Sequence, residues 1–177
     1  MNLIVKASSF ALEAHKGQKR KYTGKDYIEH PVRVANSIAK HELKSKELIA
    51  AAYLHDVVED CDVNPSVILK EFGPLVAYFV MGVTNPSKII PSHTMYIHRR
   101  KKIDFLHVKS FGRECCVLKL IDRLDNLNEL EYKYNPGFVD KYITESYMLI
   151  DIIGKFDINI FNQIIDRIQY LKESKDD

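Results

Sequence analysis

Apolar positions recur along this chain at three- and four-residue intervals, and two-residue alternation is scarce, so the pattern predicts helices almost throughout. A first helix is expected from Leu3 to His15, ending near Gly17. A loop follows, KGQKRKYTGKD, with two glycines and five Lys/Arg residues. His30-Pro31 opens a second helix running through Val32, Val34, Ala35 and Ile38, with Pro31 where a missing N–H is tolerated. A third begins near Ser45 and carries the aliphatic run ELIAAAY straight on into LHDVVED (54–60). Asn64-Pro65 reads as an N-cap and first-turn pair for a fourth helix that stops near Phe72-Gly73, and Pro74 starts a fifth. Asn85 to His93, with two prolines, reads as a loop. Helices are then expected over Thr94–Val108, over CCVLKLIDRLDNLNELE, from about Val139 to Gly154, and from Asp157 to Lys172, with a frayed ESKDD end. The fold class is all-α. Without repeat, low-complexity tract or linker, residues 1–177 read as a single domain.

Composition narrows the setting more than the chemistry. The chain has 177 residues, 46% hydrophobic and 28% charged, which suits one globular domain with a real core. No apolar run approaches the roughly 20 residues that span a bilayer, and the N-terminal stretch lacks the form of a signal peptide. Cys61, Cys115 and Cys116 show neither disulfide nor zinc spacing and read as reduced thiols. The expectation is therefore a cytoplasmic protein with no membrane partner. A net charge of +2 does not argue for nucleic acid, and no base-reading motif is present.

LHDVVED is where the apolar pattern breaks. On a continuous helix at about 100° per residue, His55, Asp56, Glu59 and Asp60 share one front of roughly 140°, with an aliphatic back of Leu54, Val57 and Val58. A solvated face explains acids alone; partners elsewhere make the difference. His30 in YIEHP and Asp122 in LKLIDRLDNL each have bland explanations, a polar helix start and a pair with Lys119 or Arg123. Together, His30, His55, Asp56 and Asp122 make a set of two imidazoles and two carboxylates. That mixture suits manganese, iron, cobalt or zinc better than calcium.

Five ordered blocks carry a resemblance: AHKGQKRK (14–21), YIEHPVRVA (27–35), AAYLHDVVED (51–60), FGPLVAYFVMGVT (72–84) and LKLIDRLDNL (118–127). The chain resembles HD-domain phosphohydrolases, in particular the hydrolase domain of the RelA/SpoT family and its stand-alone small alarmone hydrolases. The motif core covers about residues 10–130, with C-terminal helices over about 139–172. The resemblance implies an HD helical fold and hydrolysis of the 3′-pyrophosphate of guanosine tetra- and pentaphosphate, leaving GDP or GTP and pyrophosphate. It implies manganese, or another divalent ion, held by His30, His55, Asp56 and Asp122. It implies a catalytic acid pair, Glu59 and Asp60, which orients water and moves its proton, and nucleotide contacts from Arg20, Lys21 and Asn126. The partner would be a small-molecule nucleotide. The same machinery acting on another phosphorylated nucleotide is the alternative, followed by a non-hydrolytic alarmone-binding module.

Departures from the family pattern are local. Asn128-Glu129 replace a usual Arg-Thr, and an acid beside a nucleotide pocket predicts weaker phosphate binding there. Ile121 replaces an alanine before Asp122, and Asp26 a proline before Tyr27. HRRKK (98–102) reads as a solvated helix face, or as the lining of a polyphosphate entrance. Tyr22, Tyr27 and Tyr53 flank the motifs, with packing or base stacking as their roles.

Overall fold

A computed structural model of the chain describes residues 2–89 and 97–175. Eleven α-helices are described: α1 Leu3–Ala14, α2 Glu29–Lys40, α3 Lys46–Leu54, α4 Val57–Asp60, α5 Pro65–Phe72, α6 Pro74–Val83, α7 Pro86–Ile89, α8 Ile97–Ser110, α9 Arg113–Asn128, α10 Pro136–Ile153 and α11 Ile158–Glu173, with a 3-10 turn over Gly154–Phe156 between the last two. Among the described residues there is no strand, only an isolated bridge between Lys19 and Asp26. No described helix is long and apolar enough to cross a membrane.

The helix starts are set by local chemistry. Asn2, Ser45, Asn64, Asn135 and Asp157 each accept a hydrogen bond from a first-turn amide of the helix they precede. Pro65, Pro74 and Pro136 occupy first-turn positions, where no intrahelical N–H is lost.

Helix α9 is the axis of the molecule. Every residue from Cys115 to Arg123 is buried, and α2, α6, α8, α10 and α11 all pack on it. A helix covered all round must bury whatever its sequence supplies. Here that includes Lys119, Asp122 and Arg123. The Arg123 guanidinium lies 4.0 Å over the Tyr142 ring. Helix α3 packs on α1, α2 and α6. Its Ala50-Ala51-Ala52 run is fully buried and lets these backbones approach.

Three expectations change. LHDVVED is not one helix: α3 ends at Leu54, and His55-Asp56 form a turn before α4, although both residues keep right-handed helical angles. The stretch expected to be loop after Asn85 contains α7. The helix expected from Val139 starts three residues earlier, at Pro136, because Asn135 caps it. The remainder of the expected loop and the start expected at Thr94 lie outside the described residues. At the C-terminus, Glu173 ends α11 and Lys175 pairs with Asp140 at 2.9 Å; the last two residues lie outside the described range.

Candidate active site

Helix α2 contributes His30 from its first turn, the α3–α4 turn contributes His55 and Asp56, and mid-α9 contributes Asp122. The structure brings all four together. His30 Nε2 lies 3.2 Å from His55 Nε2 and 3.2 Å from Asp122 Oδ1, and His55 Nε2 lies 3.2 Å from Asp56 Oδ2. The cross distances, His30 to Asp56 and His55 to Asp122, are both 3.7 Å.

The imidazole tautomers follow from what lies behind the rings. His30 Nδ1 is 2.7 Å from Asp125 Oδ2, and His55 Nδ1 is 2.8 Å from the Ala52 carbonyl. A carboxylate and a carbonyl only accept, so both Nδ1 atoms donate and both Nε2 atoms present lone pairs to the same point. Two lone pairs and two carboxylate oxygens facing one another require a positive charge between them, a proton or a metal ion. Neighbouring ligands sharing one ion with bonds of about 2.1 Å stand about 3.4 Å apart in a tetrahedral arrangement, within the range found here. The donor set thus fits a divalent cation, and His30, His55 and Asp56 form a cluster able to hold one.

The electrostatics point the same way. Burial alone would strip the charge from His55, but Asp56 and Asp122 overcome it and hold its pKa well above the ordinary imidazole value. Burial likewise disfavours ionised Asp122, yet Lys119, 3.0 Å from its Oδ2, and the two imidazoles keep it well below the usual carboxylate range. The bland pairing with Lys119 and the cluster are therefore both realised, one on each oxygen of Asp122.

Glu59 and Asp60 sit beside this cluster in different surroundings. Glu59 is almost sealed, its side chain 3% exposed. It accepts from the Asn85 backbone N–H, from Asn85 Nδ2 at 3.1 Å and from Lys88 Nζ at 2.8 Å. Asp60 is one-third exposed and accepts from Lys88 at 2.9 Å and from the Tyr27 hydroxyl at 3.2 Å. The same hydroxyl donates to Asp56 Oδ2 at 2.7 Å, and the Tyr27 ring stacks on His15 at 4.6 Å. Tyr27 is thus engaged in orienting acids, which leaves its ring no free face toward His15 for a base. Lys88, Asn85 and Asp125 were not anticipated. Lys88 arrives on α7 and Asn85 just before it, and the packing alone reveals them.

The α1–α2 loop turns at Gly17 and Gly24, both with positive φ, and sends Arg20 toward α9. Arg20 Nη2 donates to Asn126 Oδ1 at 2.6 Å, and Asn126 Nδ2 donates to Asp122 Oδ1 at 2.6 Å. Arg20 Nε donates to Glu129 Oε2 at 2.6 Å. Burial opposes the Arg20 charge, but Glu129 more than compensates and raises its pKa. A cavity of about 240 Å³ opens there, with Arg20, Lys21, Tyr22, Glu129, Phe138 and Tyr142 in its wall. Lys21 Nζ lies over the Tyr22 ring at 5.4 Å. Glu129, expected to repel phosphate, is ion-paired with Arg20 and with Arg33. In the basic cluster, Arg99 and Lys102 are exposed while Arg100 and Lys101 are partly covered. Burial lowers the Lys101 pKa, so that cluster is only in part a solvated face. Tyr53 packs against the core.

With this geometry in view, comparison with known proteins is direct. A model of the HD domain matches residues 7–141. The chain belongs to the HD-domain family. Two relatives of this HD domain are named guanosine-3′,5′-bis(diphosphate) 3′-pyrophosphohydrolase. The one from Aquifex aeolicus is 41% identical over 127 residues, which is 72% of this chain and 18% of the relative's length. The one called MESH1, from Xenopus tropicalis, is 34% identical over 148 residues, 82% of this chain and 79% of the relative. The chain thus spans under a fifth of the first relative and most of the second. The fold matches the solved structure of a metazoan orthologue of SpoT that hydrolyses ppGpp, with a TM-score of 0.80, 23% identity and 96% of both chains covered. The all-α HD fold expected from the sequence blocks is the fold observed.

Proposed function

We propose that this HD domain is a manganese-dependent hydrolase that removes the 3′-pyrophosphate of guanosine alarmones, ppGpp and pppGpp, leaving GDP or GTP and pyrophosphate. One observation carries the reading: Asn126 joins the imidazole–carboxylate cluster directly to Arg20 and the aromatic cavity. A phosphate chain held at the cluster therefore places its nucleoside beside rings and a guanidinium. The names of the relatives over most of the chain's length supply the substrate class.

In this reading His30, His55, Asp56 and Asp122 would hold the cation, which would supply positive charge and lower the pKa of water toward neutrality. The rest is done by the chain's own groups. Water forms a bond to the phosphorus nearest the ribose, the bond from that phosphorus to the 3′ oxygen breaks, and the departing 3′ oxygen takes a proton from solvent to become the ribose hydroxyl. Asp60, partly exposed and not fully engaged, accepts the water proton. Glu59, held by three donors, fixes Lys88 beside Asp60. Lys21 offsets the charge of the phosphate chain, and Arg20, paired with Glu129, lines the nucleoside cavity beside it. The buried Tyr22 hydroxyl, without a hydrogen-bond partner among the described residues, leaves a polar atom open beside that cavity. Three free cysteines fit a cytoplasmic setting.

The test is a nucleotide panel. Purified protein with manganese should release pyrophosphate from ppGpp faster than from any other nucleotide offered, and chelator should stop it. Equal or faster release from other phosphorylated nucleotides would exclude the alarmone reading. Asp60→Ala should retain nucleotide affinity within about threefold while turnover drops by about 10² or more, the range for loss of a general base. Unchanged turnover would remove Asp60 from the reaction.

A further inference from the structure

Asp122, Asp125, Asn126 and Glu129 follow one another at intervals of three, one and three residues, so they stand on a single face of α9. That face meets α2 and the α1–α2 loop, and one side chain touches two of its acids. Arg33 Nε donates to Asp125 Oδ1 at 2.8 Å, and its Nη2 donates to Asp125 Oδ2 at 2.9 Å and to Glu129 Oε1. Asp125 in turn holds His30 Nδ1, and Glu129 holds Arg20 Nε. Arg20 donates to Asn126, and Asn126 to Asp122. The chain of contacts closes where Asp122 Oδ1 meets His30 Nε2 at 3.2 Å. The result is a ring of seven side chains that contains two candidate cation ligands and the candidate nucleotide-contacting arginine.

We propose that Arg33 is a positioning residue that fixes the cation-binding and nucleotide-binding edges of the cleft relative to each other, acting through Asp125 on His30 and through Glu129 on Arg20. It touches neither ion nor nucleotide. Its chemistry suits this bridging role, since a planar guanidinium grips both oxygens of Asp125 with two parallel donors while reaching Glu129, a fixed bidentate geometry that an ammonium lacks. On the ion side, Asp125 with both oxygens engaged cannot rotate, so it keeps the His30 ring aimed and its Nδ1 protonated. On the nucleotide side, Glu129 without Arg33 would be free to swing, and Arg20 with it. The proposal rests on the alarmone-hydrolase reading only for what Arg20 ultimately contacts.

The experiment therefore uses two readouts that need no substrate. Manganese affinity is measured by calorimetry on the metal-free protein. Solvent exchange of the Arg20 Nε–H is measured by nitrogen-15 NMR. Arg33→Ala, with thermal melting as a check on folding, should raise the manganese dissociation constant about tenfold, the lower end of the range for groups that orient metal ligands. It should also speed Arg20 Nε–H exchange at least tenfold. Arg33→Lys restores the charge and not the fork, so it should melt like wild type and still show both changes. Either change without the other, or full recovery of both by lysine, overturns the bridging role, because a merely structural arginine alters melting alone. Failure of the alarmone reading would appear separately, as wild-type protein that binds manganese and releases no pyrophosphate from ppGpp.

Discussion

Lys88 lies between the two acids that the proposed reaction uses, 2.8 Å from Glu59 and 2.9 Å from Asp60. Burial disfavours its charge, but Glu59 and Asp60 reverse that and raise its pKa, so it remains an ammonium throughout the working pH range. The pair with Asp60 is exposed and worth roughly 1 kcal/mol or less, but Glu59 is almost sealed, so losing the ammonium leaves a buried carboxylate short of a donor, at a cost of about 1–3 kcal/mol. Lys88→Ala should therefore melt below wild type, and at a temperature where both proteins are folded its turnover should drop about tenfold or more because Asp60 loses the group that aims it. Melting and initial rates on the same preparation decide this, and normal turnover would mean that Lys88 serves only to fasten α7. Neither Lys88 nor Arg33 could be assigned in advance. In the sequence each is one cation among 26 Lys and Arg, and their targets lie 28 and 92 residues away. His30, His55, Asp56 and Asp122 were legible only as a set: each alone had an ordinary explanation, but two imidazoles and two carboxylates stand within ordered blocks that resemble the family. The acidic stripe of α9 was also visible at helical spacing, but it gained a meaning only when Arg33 and Arg20 stood opposite it.

At the scale of elements, caps were the readable signals. Ser45 and Asn64-Pro65 mark α3 and α5 where expected, whereas Asn135-Pro136 marks α10 just as clearly, and apolar periodicity from Val139 misses it. The break at His55-Asp56 is a different case. Periodicity reports which way side chains point, and those directions survive because the backbone angles stay helical. It is blind to the interrupted hydrogen-bond ladder. Helix α11 offers a test of how much one cap contributes. Asp157 Oδ1 accepts from the Ile160 amide at 2.9 Å, and Oδ2 accepts from His41 Nε2 at 2.7 Å. Burial works against its ionised form, but these donors prevail and lower its pKa. A carboxylate depressed on folding stabilises the protein above its unfolded pKa of about 3.9, and that contribution fades as pH falls through the folded value. Asp157→Ala should cost about 1 kcal/mol at pH 7, and the gap to wild type should narrow below about pH 4. Urea titrations at pH 7 and pH 3 read the difference directly. A gap of constant size would assign the loss to packing.

For the whole molecule, the candidate cation ligands come from three separate places: the start of α2, the α3–α4 turn and the middle of the buried α9. An ion bound to all of them links elements far apart in sequence, with His30 and Asp122 separated by most of the motif core. The unfolded chain offers no such assembled set, so cation binding must feed into global stability. At a hundredfold excess of manganese over its dissociation constant the gain is about 2.7 kcal/mol. For a chain of this size each kcal/mol moves the melting temperature by about 2–4 °C, which gives an upward shift of roughly 5–10 °C. The shift should grow with the logarithm of manganese concentration and vanish with chelator. His55→Ala should abolish it, since that ring supplies one of the two converging Nε2 atoms. Asp60→Ala should leave it intact, because Asp60 stands beside the cluster and faces Lys88 and Tyr27. A melting titration of the three proteins separates ion holding from water handling without any nucleotide present. Should Asp60→Ala lose the shift while His55→Ala keeps it, the division of roles proposed for the turn and for α4 would have to be reversed.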